Sequence, residues 1–440
     1  MAAEQEEFET ITGQCQYVIQ VDLLIGPAEI ETMKKVFMDA EMNEQKVRPL
    51  SGGVNQRGVR DFNERLLLSM IQRHGEMPGS DLARRAGLSP QTVSVIIRKL
   101  ERDGLLARGK PVRGRVGKPS TPITLAADGV FSFGLKIGRR TADILLMDFC
   151  GTVQKQLQTT YQYPMPSTVF SFLEAGLKTL TQELDPPSVS RISGIGIAAP
   201  FEIWNWHESV GAPAEEFEQW KNIDFRQEVA KFSALPLFVV NDATAACRAE
   251  HVFGRGKEFR DYAYFFLGVF IGGGIVLNHS VYEGTQGNAG AFGPLRSIGA
   301  NGKTCQLLDA ASIYLLENAL AKAGMDPDIL WAQPQEWSGF ENHLEHWIEV
   351  TAKELAIASL NTCAVIDFEA IIVDGAIPAE VRRRLVKRMQ AHIVKLDSRG
   401  LIVPRIEEGS VGGNARAIGA ACGPVFSQFF LDTHAGMPVL

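Results

Sequence analysis

The sequence predicts an α/β protein in two parts: a small basic module of helices and short strands over residues 56–126, and a two-lobed α/β body over residues 127–440. Three observations carry this expectation. The run Leu82-Ala83-Arg84-Arg85-Ala86-Gly87-Leu88-Ser89-Pro90-Gln91-Thr92-Val93-Ser94-Val95 reads as the end of one helix, a tight turn and the start of another. Residues 57–118 hold 14 basic and 6 acidic side chains, a net of +8 in a chain of −7, which leaves −15 for the rest. From residue 130 onward, strands and helices alternate in two successive sets of similar order, the pattern of two lobes with a cleft between them.

Residues 1–55 read as an extension with no assigned role. Within it, residues 17–21 have strand character, residues 28–38 could form a short helix, and Pro49-Leu50-Ser51-Gly52-Gly53 resembles a linker. Met42 offers an alternative start, and residues 1–7 carry acids rather than a basic-then-apolar signal pattern.

The basic module begins with a helix over residues 61–74, with Phe62, Leu66, Met70 and Ile71 near one face. Gly79 or Ser80 opens a second helix, and Leu82, Ala83 and Ala86 give it a small apolar face. Gly87 supplies the residue able to leave that helix with positive φ. Ser89 is a natural N-cap for a third helix, with Pro90 at its first position, where the missing N–H costs nothing. Val93, Ile96, Ile97 and Leu100 then form one buried stripe, and the helix ends near Gly104. Gln91, Ser94, Arg98 and Arg102 form the opposite stripe, and Ser89 and Thr92 extend that polar surface at the helix start. These side chains can reach base edges or phosphates.

Strands over residues 105–108 and 121–125 flank a basic loop at 109–119 containing Arg113, Arg115 and Lys118. The whole is a winged helix-turn-helix, and a basic module on an acidic body is the footprint of local nucleic-acid binding. Arg113-Gly114-Arg115 suits either insertion into a narrow minor groove or contact with phosphates.

In the body, residues 131–137 and 141–148 are expected to form a strand hairpin, followed by a helix at 168–184, a strand at 192–199, a helix at 225–232 and a strand at 237–240. The second set has strands at 262–266 and 273–277, helices at 306–323 and 344–363, a strand at 370–373 and a helix from residue 380. The lobe boundary is placed near residue 245.

At 440 residues, 45% apolar and 22% charged, the chain has the composition of a soluble protein of about three compact units. No apolar run approaches the roughly 20 residues that span a bilayer. Six widely spaced cysteines with no Cys-x-x-Cys pair argue against a disulfide framework or zinc ribbon. A cytoplasmic protein without membrane partner, metal or cofactor is expected.

Four segments of the body, Asn241-Asp242-Ala243-Thr244-Ala245-Ala246, Gly272-Gly273-Gly274-Ile275-Val276-Leu277-Asn278, Gly287-Asn288-Ala289-Gly290 and Ile418-Gly419-Ala420-Ala421, occur in the order found in the ROK family of repressors, open reading frames and sugar kinases. Residues 56–440 resemble the branch that joins a winged helix-turn-helix to an actin-like sugar-kinase body. In kinases of this fold the Asp of the Asn-Asp pair is the general base for the sugar hydroxyl and the Asn helps hold the sugar. The resemblance therefore implies that Asp242 and Asn241 contact ligand, and Asn288 is grouped with them; an Asn-Asp pair can otherwise be only a turn.

Elsewhere the chain departs from the kinase pattern. The first phosphate loop of the family reads Asp-x-Gly-Gly-Thr, where this chain has Lys136-Ile137-Gly138-Arg139-Arg140. The second, Gly-Thr-Gly-Ile-Gly-Gly-Gly, becomes Gly268-Val269-Phe270-Ile271-Gly272-Gly273-Gly274, and the glycine-rich adenosine loop becomes Asp374-Gly375-Ala376-Ile377. Phosphoryl transfer needs backbone cradles and a metal site, so no kinase activity is expected. Lys136, Arg139 and Arg140 suit either an anionic ligand or pairing with surface acids.

The family's Gly-Glu-x-Gly-His is Gly290-Ala291-Phe292-Gly293-Pro294, which lacks the sugar-gripping Glu and His. Its Cys-x-Cys-x4-Cys zinc motif survives only as Cys305, and a further sugar-binding Glu falls at Leu307 or Leu308. His343 and His346, at i, i+3, have a metal-compatible spacing that exposed histidines also show without metal. Glu202, Trp204 and Trp206, after the apolar strand, supply either a replacement sugar surface or, for the tryptophans, core or dimer contacts.

These readings converge on a DNA-binding transcriptional regulator, expected to be a repressor, that senses a sugar or sugar derivative in a catalytically inactive cleft. A homodimer or homotetramer would place two recognition helices on a pseudo-palindromic double-stranded operator. The alternatives are a bifunctional sugar kinase with an appended DNA-binding head and a ligand-independent scaffold.

Overall fold

A computed structural model describes residues 56–111, 121–206, 212–298, 302–332 and 335–431. Residues 1–55, with their expected strand, helix and linker, lie outside the described residues.

The head is a winged helix-turn-helix. It comprises α1 (Gln56–His74), β1 (Met77–Pro78), α2 (Gly79–Ala86), α3 (Pro90–Arg102), β2 (Leu106–Arg108) and β3 (Pro122–Leu125). The first helix starts five residues earlier than expected, because Gln56–Arg60 contain a glycine and a single apolar side chain, Val59, and so show no apolar period. The three strands form one small sheet in the order β1-β3-β2; the two-residue β1 is too short to leave a sequence signal. Leu67, Leu68, Ile71, Leu82, Val93, Ile96, Ile97, Leu100 and Ile123 make the core of the head.

The body contains two five-stranded sheets of equivalent topology. The first lobe holds β4 (Phe131–Ile137), β5 (Thr141–Asp148), β6 (Val153–Thr160), α4 (Pro166–Thr181), β7 (Ile192–Ala199), α5 (Phe225–Ala230) and β8 (Leu237–Asn241), with the sheet ordered β6-β5-β4-β7-β8. A helix α6 (Asp242–Phe253) leads into the second set, β9 (Tyr262–Leu267), β10 (Ile271–Leu277) and β11 (Ser280–Tyr282). After the small hairpin β12 (Arg296–Ile298) and β13 (Thr304–Gln306) come α7 (Ile313–Lys322), α8 (Glu341–Val365), β14 (Ala370–Gly375), α9 (Ala379–Ile393), β15 (Arg405–Glu408) and α10 (Ala415–Phe429). Its sheet is ordered β11-β10-β9-β14-β15. In both sheets the first three strands of the set pair antiparallel and the last two join in parallel.

Several elements were not anticipated. The edge strand β6 pairs only with β5 and is largely polar, so it lacks the apolar alternation that marks a half-buried strand. The single helix expected at 306–323 is a short turn, Leu307–Asp309, followed by α7. The break falls at Ser312, whose hydroxyl accepts the Ile271 N–H at 2.9 Å and whose carbonyl accepts the Trp347 indole N–H at 2.9 Å. Helices α6 and α10 also went unassigned, although Asn241 is an N-cap whose side chain accepts from Ala243 and Thr244.

Each lobe has its own core, Phe133, Leu135, Ile195 and Leu173 among others in the first and Phe265, Ile371, Leu355 and Leu385 in the second. Between the sheets, Ala198, Ala245 and Ala420 form a small cluster that brings α6 against α10. The far end of α10 enters the head: Val425 and Phe430 belong to the head core with Phe149, whose ring stacks on Phe430 at 5.4 Å. Arg65 of α1 donates to the Phe430 carbonyl at 2.8 Å, and the Leu431 N–H donates to Ser69 Oγ at 2.8 Å. Among the described residues, no helix is long and apolar enough to cross a membrane.

Candidate ligand cleft and DNA-reading helix

The turn between α2 and α3 follows from its residues. Gly87 has φ +66°, a left-handed conformation that closes α2, and the Leu88 N–H donates to the Ala83 carbonyl at 3.1 Å. The Ser89 side chain then accepts the Thr92 N–H at 3.1 Å, and Pro90 occupies the first helical position. With Val93, Ile96, Ile97 and Leu100 buried, α3 turns Ser89, Gln91, Thr92, Ser94, Arg98 and Arg102 to solvent. The Arg98 Nε donates to the Ser94 carbonyl at 3.1 Å, so its guanidinium lies along the helix surface. Arg113, Arg115 and Lys118 of the loop lie outside the described residues. Sequence reasoning passed over Val95, an apolar residue exposed on the same polar face.

A cleft of about 960 Å³ is lined by residues of both lobes. Glu202, Asn205, Asn241, Asp242 and Asn288 line it. Asn241 ends β8 and caps α6, its Oδ1 accepting the Ala243 N–H at 3.0 Å and the Thr244 N–H at 3.2 Å. That leaves its Nδ2, which lies 3.5 Å from Asn288 Oδ1. Asp242, in the first turn of α6, receives the Arg416 guanidinium at 3.3 Å. The Arg416 guanidinium also lies over the Phe266 ring, its carbon 5.1 Å from the ring centre, while its Nε is buried with no hydrogen-bond partner among the described residues.

Glu202 has φ +47°, an uncommon conformation for a residue with a side chain, and its carboxylate accepts the Asn205 amide at 2.8 Å. Trp204 does not line the cleft; it is partly buried against the first-lobe core. Trp206 ends the short turn Ile203–Trp206, and its side chain lies outside the described residues. Ala291 and Pro294, which replace the motif's Glu and His, line the cleft, and Phe292 between them is buried edge-on against Phe265 at 4.8 Å; Leu308 lines the cleft while Leu307 is buried.

Lys136 near the end of β4 and Arg139 and Arg140 of the β4–β5 turn also line the cleft, and each has an acidic partner. Lys136 Nζ donates to Asp143 at 2.6 Å and to Thr141 Oγ1 at 2.7 Å. Burial, with Arg416 adding, pushes the Lys136 ammonium down to about 8 against the pull of Asp143. Burial raises the Asp143 carboxyl, but Lys136 and the hydrogen bonds it receives outweigh this and hold it below its usual range. Arg139 reaches across the lobes to Glu317 at 3.3 Å and lies over the Phe270 ring at 5.9 Å. Glu317 also accepts the Trp331 indole N–H at 2.6 Å. Arg140 meets Asp328 at 3.5 Å, an exposed pair worth little. Phe270 packs against Tyr314 at 5.2 Å. Asp374, fully buried, pairs with Arg382 at 2.8 Å and accepts the Gly412 N–H at 2.9 Å. At the position where the resemblance puts the acid of the first phosphate loop, the cleft holds the buried Lys136 ammonium. The cleft can hold a small polar molecule through amides and carboxylates from both lobes.

Fold and cleft together define a helix-turn-helix regulator joined to a two-lobed body, and comparison with known proteins gives the family. Residues 132–422 match the ROK family model and residues 61–107 match a winged helix-turn-helix DNA-binding model. The chain belongs to the ROK family. It is 26% identical over 383 residues to the uncharacterized protein y4fQ of Sinorhizobium fredii, covering 85% of this chain and 93% of that one. It is 24% identical over 271 residues to the xylose repressor of Bacillus subtilis, covering 61% and 69%. A crystal structure of a ROK family transcriptional regulator, a homolog of the Escherichia coli MLC protein, superposes with a TM-score of 0.58 at 20% identity over 82% of this chain and 95% of that one, a likeness of fold.

Proposed function

We propose that the chain is a cytoplasmic transcriptional repressor whose affinity for operator DNA is set by a sugar or sugar derivative bound in the cleft, and that its body transfers no phosphoryl group. The observation that carries this reading is the path of α10. Its first turn brings Arg416 to Asp242 in the cleft, and its last turn is built into the core of the DNA-reading head. A helix of about 22 Å thus ties both sites to one rigid element. A ligand that binds two lobe arrangements with different affinity would shift the population of head positions, and DNA would shift ligand affinity by the same factor.

Glu202, Asn205, Asn241, Asp242 and Asn288 are the proposed ligand contacts, and the polar lining suits hydroxyls. The Bacillus subtilis relative, named for xylose, is consistent with a carbohydrate effector. On DNA, Ser89, Gln91, Thr92, Ser94, Arg98 and Arg102 would read the major groove while Arg113, Arg115 and Lys118 hold the adjacent backbone or minor groove. A homodimer or homotetramer would engage successive half-sites. The absence of phosphoryl transfer is argued from Lys136 buried against Asp143 and from the Arg416 guanidinium that occupies the Asp242 carboxylate.

Fluorescence anisotropy with DNA from the region upstream of the gene, against a scrambled duplex at several salt concentrations, tests the DNA function. Tighter binding to the upstream duplex, falling steeply with salt, is expected; equal weak binding to both would count against a sequence reader. An ADP-release assay across hexoses tests the inactivity, and turnover abolished by Asp242→Asn would overturn it.

A further inference from the structure

Beyond Pro90 at its start, the outward face of α3 is polar except at one position. Val95, 57% exposed, stands four residues after Gln91 and three before Arg98, so the three side chains share one surface stripe. Packing asks nothing of Val95, since Val93, Ile96, Ile97 and Leu100 make the core contacts of the helix. Propensity does not favour it either: a β-branched side chain is a poorer choice for an exposed helical site than Gln, Lys or Arg. A single exposed valine elsewhere on a surface would be unremarkable. Here it is surrounded by Gln91, Ser94, Arg98 and Arg102, all hydrogen-bonding side chains on the helix that the turn geometry presents outward.

The major groove offers an apolar group at one of the four bases, the C5 methyl of thymine. Resting on the regulatory reading above, we propose that Val95 is a specificity-determining residue, packing its two methyl groups on the C5 methyl of a thymine in each operator half-site. Gln91 and Arg98 then address neighbouring positions through hydrogen bonds, which fixes the register of the valine on its base pair. The contact removes two apolar groups from water together, so it discriminates thymine from cytosine without a hydrogen bond.

The test uses the full-length protein and duplexes that it enriches from a randomised, unmethylated DNA pool. Each thymine of an enriched duplex is replaced singly by deoxyuridine, which removes the methyl group and keeps the pairing. One thymine per half-site should then bind the wild type about fourfold more weakly, the equivalent of about 0.8 kcal/mol for one methyl group. Val95→Ala, at a site the fold does not use, should bind the thymine and uracil duplexes alike. Insensitivity of the wild type at every thymine would overturn the proposal, as would a uracil penalty that Val95→Ala retains. Failure to enrich any sequence would instead remove the regulatory reading, and this inference with it.

Discussion

Replacing Gly419 by alanine tests how tightly α10 is held between the two lobes. A Cβ at Gly419 would lie 1.7 Å from the Ala245 carbonyl oxygen of α6 and 2.4 Å from its carbon. Ordinary contact is about 3.5 Å, so the two helices would have to separate by roughly 1.8 Å. The obstacle is backbone, and no side chain can rotate away. Overpacking of this kind costs about 1–3 kcal/mol, and a backbone clash belongs at the upper end. Alanine returns about 1 kcal/mol of helix propensity, so a net loss of about 2 kcal/mol is expected. Gly423, one turn later in the same helix, is the control. A Cβ there would meet the Phe238 Cβ at 3.1 Å, an overlap of only a few tenths of an ångström that a small shift of the neighbouring strand relieves. Gly423→Ala should therefore be neutral or up to about 1 kcal/mol stabilising. Urea unfolding of both variants, read as the shift in midpoint at constant slope, measures the difference. If Gly419→Ala were as stable as Gly423→Ala, the close approach of α6 and α10 would be wrong, and the mechanical argument for coupling cleft to head would lose its basis.

Further substitutions address single contacts. Lys136→Met alone should cost about 3–5 kcal/mol by leaving Asp143 buried without its cation, while Lys136→Met combined with Asp143→Leu should unfold near the wild-type midpoint; equal losses in the two variants would show that the pair is not coupled. Asn241→Ala should cost about 1 kcal/mol through loss of the α6 cap, whereas Asn241→Asp keeps the cap and loses only the amide donor toward Asn288, a difference read by thermal unfolding. Arg98→Ala should weaken binding to an enriched duplex by about 1–3 kcal/mol and relax preference at one base pair. An equal loss on scrambled DNA would reassign Arg98 to phosphate contact.

The head was the most legible part of the chain. Gly87, Ser89 and Pro90 act through local backbone geometry, so the turn and cap could be read from residue identity alone, and the period of Val93, Ile96, Ile97 and Leu100 announced which face is buried. The central strands β4, β7 and β9 were similarly plain: β9 is a continuous hydrophobic run, and in β4 Phe131, Phe133, Leu135 and Ile137 recur at every second residue. In the cleft, the altered phosphate loops were visible in the sequence. The partners of their charged side chains were not: Glu317 lies 178 residues from Arg139, and nothing in local pattern links them.

Helix α10 marks the boundary between the two kinds of information. Gly419, Gly423 and Pro424 each weaken an isolated helix, and by propensity the segment does not declare itself as one. Its helical state is decided by where it packs, between Ala245 of α6 and the first-lobe sheet at one end and among Phe149 and the residues of α1 at the other. Residue identity determined the reading head, the two-lobed class and the changed cleft chemistry, because these rest on periods, caps and side-chain types carried within short segments. The tertiary structure decided which charges meet and which element joins cleft to head, because those contacts bring together residues far apart in the chain, and their energy appears only once both lobes have folded around α10.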